Sequence, residues 1–156
     1  MSAINESFAF ALDRRWRVVS PTHPAARALA DRHYSRQTVG ATEFMGNGRK
    51  LVLLTEDHKA LWGAIENLDP RGGLHWRNNW FRNEGTFLSS DLIREATDVT
   101  YAYWERHYGG RPRVPLTTEV DPKKTRRKRD PGRCFTRAGW RRVRVTRDGL
   151  IVFQAP

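Results

Sequence analysis

The sequence predicts a mixed α/β (α+β) fold, a mostly antiparallel central sheet flanked by helices, in a single domain of 156 residues. Three observations predict it. Two short apolar runs of strand length, Lys50–Thr55 and Ala60–Leu68, flank the polar turn Glu56–Lys59, the pattern of a hairpin. One long stretch carries Leu88, Leu92, Ile93, Ala96, Val99, Thr100, Tyr103 and Trp104 at spacings of three and four, which places them on one helix face. A further strand-like run, Val114–Val120, follows that helix, so it is expected to pair in parallel with the strand before it, through a crossover.

In chain order, Trp16–Ser20 reads as the first strand. Ser20 to His23 leads into a helix with Pro24 at a tolerated early position and Ala25, Ala28 and Leu29 inside, running on into 31–36. The segment from Gln37 to Gly48 has no clear period and reads as a loop, in which Phe44 and Met45 are candidates to wedge against or stack on a nucleobase. After the hairpin, Asp69–Gly73 is a turn and Leu74–Arg82 a third strand. The long helix ends near His107, ahead of Gly109 and Gly110. Asp130 and Pro131 start a short helix that Gly139 ends, and Trp140–Thr146 with Leu150–Gln154 closes the chain as a hairpin around Arg147–Gly149. Residues 1–14 are read as a candidate disordered arm, and 122–130 as a basic loop. Trp62, Trp76 and Trp80 lie on strands and read as core residues, and Cys134 as a buried small residue.

Charge is unevenly spread. Lys and Arg number 28 against 17 Asp and Glu, a net charge of +11. Between Arg111 and Arg147 there are 14 basic and 3 acidic residues, and the rest of the chain has 14 of each, so the whole excess lies there. Such clustering is the footprint of a nucleic-acid binder. An acidic protein or a polyphosphate ligand would suit it too. The single cysteine rules out an internal disulfide and fits a reducing compartment. No apolar run is long enough to span a membrane, and no signal peptide is expected.

Chemistry is expected at three places. The turn from Asn83 to Thr86 feeds a helix start, with Gly85 able to take positive φ or admit a ligand, Ser89 and Ser90 where capping hydroxyls belong, and Asp91 in the first turn. A strand that feeds such a helix is a physical anion site, suited to phosphate or pyrophosphate. A capped amphipathic helix packed on a sheet would look the same. His33 and Tyr34 sit in a polar setting between Arg32 and Arg36, where they can act as acid, base or ligand, or cap a helix and pack on the sheet. Glu119 and Asp121, two apart at the C-terminal end of a strand, are expected on one side of it, where open sheets bind ligands, or paired with the basic run that follows. That run, Lys123, Lys124, Arg126, Arg127, Lys128 and Arg129, extended by Arg133, Arg137, Arg141, Arg142 and Arg144, suits a phosphate backbone or a solvated loop.

The element order resembles that of the GNAT acetyltransferase superfamily. Arg82-Asn-Glu-Gly85-Thr-Phe87 is similar to its pyrophosphate loop, with Phe87 in place of the last small residue, and Phe135, Gly139 and Trp140 match its late signature. Within it, His33 and Tyr34, Asn83 with Ser89, and Thr118–Asp121 resemble phage DNA-modification proteins of the Mom type, over a span from about Trp16 to Phe153. The resemblance implies a transferase adding an acyl-derived group to a base of duplex DNA, adenine N6 being the expected acceptor, in the cytoplasm of the host cell. It implies acyl-CoA (acetyl-CoA) held by Arg82, Asn83, Glu84, Gly85, Ser89 and Ser90. It further implies catalysis by His33, Tyr34, Asp121 and Glu119. Iron is implied at His33, Tyr34 and Asp121, whose nitrogen and oxygen atoms suit it. Two other readings stay open: an acetyltransferase acting on a protein, RNA or small amine, and a non-catalytic nucleic-acid-binding protein with the same fold. A homodimer is left open.

Overall fold

The structure, a computed structural model, describes residues 15–33, 40–41, 43–124 and 130–156. Among these it forms a seven-stranded, mostly antiparallel sheet with three helices. The elements are β1 (Trp16–Val19), α1 (Pro24–Asp31), β2 (Arg49–Thr55), β3 (Ala60–Leu68), β4 (Leu74–Asn83), α2 (Ser89–His107), β5 (Leu116–Val120), α3 (Arg133–Arg137), β6 (Arg141–Val145) and β7 (Ile151–Gln154). The sheet order is β1-β2-β3-β4-β5-β7-β6. The pair β4–β5 is parallel, as the crossover through α2 requires. No helix among the described residues is long and apolar enough to cross a membrane.

Each face of the sheet has its own core. On one side, α2 and α3 pack over Trp16, Trp62, Trp76, Trp140 and Phe153. On the other, Ala26, Leu29 and Ala30 of α1 meet Val52, Leu54, Leu61, Ile65 and Trp80. Phe44 and Met45, candidates to wedge or stack against a nucleobase, are instead buried in this second core; Phe44 stands edge-on to Trp80 at 5.4 Å. The three strand tryptophans are buried, as expected.

The face of α2 is held by indole donors as well as by apolar area. The indole N–H of Trp16 donates to the Leu92 carbonyl at 2.8 Å, that of Trp62 to the Thr100 hydroxyl at 3.0 Å, and that of Trp140 to the Thr97 hydroxyl at 3.1 Å. Thr97 and Thr100 in turn donate to the Ile93 and Ala96 carbonyls, each at 2.7 Å. Buried polar atoms are thereby satisfied without breaking the helix. Leu88, expected on the buried face, is instead the exposed residue just before the helix.

A bulge in β4 decides what the strand presents. Gly63 pairs with Trp80 and Ala64 with Asn78, which leaves Asn79 as the extra residue. The periodicity therefore flips, so Trp76 enters the first core and Trp80 the second. Asn78 fixes the bulge by donating to the carbonyls of Gly63 (3.0 Å) and Trp80 (2.9 Å), and Thr118 donates to the Asn78 carbonyl at 3.0 Å.

Candidate functional site

Pairing between β4 and β5 covers only Trp76–Asn78 against Leu116–Thr118. Beyond it both strands continue apart, and the gap is a cleft of about 340 Å³, within the range of small-molecule sites. Asn78, Asn79, Phe81 and Asn83 of β4 line one wall and Thr118 and Glu119 of β5 the other. The end of α1 contributes His33, the start of α2 contributes Ser89, and Gly132, Cys134 and Phe135 close it from the α3 side.

His33 stands just past α1, its backbone N–H donating to the Ala30 carbonyl at 3.0 Å. Its ring meets Trp80 edge-on at 5.2 Å. Burial, then the nearby Arg82 charge, push its pKa down to about 4, against a backbone hydrogen bond at Phe81 that favours the charged form; Lys124 adds to the depression. The setting is thus closer to a core than the flanking arginines suggested. At neutral pH the ring is an uncharged imidazole in a cleft, able to accept a proton.

A clasp holds this segment. Glu84 receives Arg32 through two bonds, at 2.7 and 2.9 Å, and also Arg82, whose guanidinium donates to the Arg32 carbonyl at 2.6 Å. The two guanidinium groups hold the Glu84 carboxyl at about 2. The clasp joins the exit of α1 to the end of β4.

The clasp corrects part of the expected cofactor loop. Arg82 lines the cleft, but its guanidinium is spent on Glu84 and Arg32. Glu84 donates its backbone N–H to the Lys59 carbonyl at 2.7 Å. Gly85 lacks positive φ, and a Cβ there would meet Lys59, so it packs on the β2–β3 turn and offers no cradle to a ligand. Ser89 and Ser90 do not cap α2, whose start has no side-chain cap. Ser89 accepts from the Asn83 amide at 3.0 Å and borders the cleft, while Ser90 is buried. What fits an anion is the uncapped first turn of α2 beside Ser89; the Arg82–Gly85 pattern does not.

Of the two acids, Glu119 reaches the cleft and has Arg77 at 3.8 Å. Asp121 is not in the lining, because β5 ends at Val120 and the spacing argument stops there. Its carboxylate accepts from the Lys123 backbone N–H at 3.0 Å, shaping the turn. Lys123 and Lys124 on that turn are exposed, as is Arg133. Tyr34, Arg126, Arg127, Lys128 and Arg129 lie outside the described residues, as does the 1–14 arm. Among the described residues no group of three or more His, Cys, Asp or Glu converges on a metal.

Sequence reasoning missed Asn78, whose signal was a polar residue inside an aromatic-rich strand, and Arg32 as a clasp member. Cys134, expected to be buried, is part-exposed and lines the cleft, just after Gly132 (φ 83), whose Cα lies against the Phe153 ring. The chain matches no family model, no curated protein and no solved structure.

Proposed function

We propose that the protein is a DNA base-modifying transferase of the Mom type, with a GNAT-like fold, adding an acyl-derived group to an adenine N6 in duplex DNA. The observation that carries this reading is the neutral His33 imidazole held in a cleft between strands that part, beside the exposed Lys123 and Lys124. The element order, with its one parallel pair ahead of the cleft, supports the same reading.

In this reading the acceptor base leaves the duplex and enters the cleft. Asn78 is fully engaged in the bulge, so it shapes the wall, and Asn79 is the amide available to a base edge. Acylation of the exocyclic nitrogen would break the thioester C–S bond as the N–C bond forms; His33 would take the N–H proton and pass it to the departing thiolate. An acyl-CoA would be held at Ser89 and the first turn of α2, and when bound would supply the activated acyl group. A cytoplasmic location in the host belongs to the same reading.

One observation favours the non-catalytic alternative. The Arg82, Glu84 and Gly85 positions are committed to internal contacts. Mass spectrometry of nucleosides from cells expressing the wild type or His33→Gln separates the two. A new nucleoside that vanishes in the variant is expected. Unchanged nucleosides with intact DNA binding would favour the non-catalytic protein.

A further inference from the structure

Several arginines ahead of the C-terminal part of the chain have an acidic partner. Arg15 is paired with Glu95 at 3.1 Å, Arg17 with Glu56 at 3.3 Å, Arg94 with Asp91 at 3.1 Å and Arg111 with Glu105 at 2.9 Å. By contrast, none of Arg133, Arg137, Arg141, Arg142, Arg144 and Arg147 has an ion pair among the described residues. Arg27, Arg49, Arg71 and Arg113 have none either, but these six sit together on α3, β6 and the β6–β7 turn, with no acidic residue from 133 to 147.

Register shows where part of it points. Arg141 lies opposite Gln154 and Arg144 opposite Val152, with the irregularity between Arg142 and Arg144. Gln154 and Val152 are two apart on β7, so the bulge brings Arg141 and Arg144 to one face; regular alternation would have separated them. Val152 is in turn opposite Glu119 on β5. Arg144 thus shares a face with a cleft residue, two strand spacings or roughly 10 Å away. Both arginines are exposed, and β6 is an edge strand.

From this we infer that Arg141 and Arg144 hold the phosphodiester backbone of the nucleic acid whose base enters the cleft, so that the duplex lies along the β6 edge of the sheet. The inference rests on the transferase reading for the base in the cleft. An edge strand also carries charge to block pairing with other strands. That purpose is served by either sign, and it does not require two arginines brought to the face that carries Glu119. Gln154, between them and β5 on that face, adds a donor of the kind that contacts phosphate and sugar.

The test is binding of a fluorescently labelled random-sequence duplex across a salt series. It compares the wild type with Arg141→Gln/Arg144→Gln and, as a control of equal charge loss, Arg17→Gln/Arg49→Gln. Loss of two phosphate contacts should lower the slope of log K against log salt by about 1.8 in the first variant, and clearly less in the control. Unchanged melting temperatures would show that both variants fold. Equal slopes in the two variants would overturn the inference alone, provided the wild type still binds and modifies DNA. Absence of duplex binding by the wild type would overturn the inference and the transferase reading together.

Discussion

The imidazole of His33 stands edge-on to the indole of Trp80, ring centroids 5.2 Å apart at 67°. Trp80 is a core residue, so the ring is anchored by the hydrophobic layer while its edge borders the cleft. Burial there, with the nearby charges of Arg82 and Lys124, lowers its proton affinity.

His33 should therefore titrate near pH 4, against about 6.5 in the unfolded chain. Between those values the unfolded chain binds the extra proton, so stability is full above about pH 6.5 and declines as pH falls through about 4. The loss should reach roughly 3 kcal/mol. NMR titration of the imidazole, with denaturant midpoints at several pH values, checks both. A value near 6.5 would contradict the burial.

Glu84 acts in a lower window. Its folded pKa is depressed, so its contribution is present above the unfolded value of about 4.5 and disappears as pH falls through about 2. Glu84→Gln should cost about 1 kcal/mol near neutrality and remove this lower step from the acid-unfolding profile, leaving the His33 step in place. A wild-type profile in the variant would mean that the clasp contributes nothing.

Gly132→Ala should be among the costly single changes. The position has φ 83, and a Cβ would collide with the Phe153 ring. Left-handed backbone and overpacking together predict a loss of about 2–4 kcal/mol. Equilibrium unfolding measures it, and near-ultraviolet circular dichroism should report the displaced aromatic.

Thr100→Val keeps the shape and removes the acceptor of the Trp62 indole N–H. A buried donor left without a partner costs about 1–3 kcal/mol. Thr97→Val should do the same to Trp140. If both variants match the wild type in chemical denaturation, the indole bonds hold no net energy.

How much of this could be read from the chain depends on range. Hairpins, the amphipathic face of α2 and the parallel crossover follow from local patterns and element order, and each stands as expected save for Leu88. Trp62, Trp76 and Trp80 were readable as core because strands seldom expose indoles. The cleft was half legible: His33 and Glu119 meet there, but Asp121 turns away once the strand ends. What escaped was decided by partners distant in sequence. Glu84 looked like a ligand group because Arg32, 52 positions earlier, is not visible beside it. Ser89 looked like a cap because nothing nearby announces that Asn83 takes its hydroxyl. The bulge at Asn79 was marked only by the polar Asn78 beside it, which does not by itself announce an extra residue.

That bulge couples the two sides of the molecule. A single strand sends Trp76 into one core and Trp80 into the other, so neither layer can loosen without disturbing the backbone the other depends on. The described domain should unfold in one cooperative step, and fluorescence reporters placed at Trp76 and at Trp80 should trace superimposable melting curves.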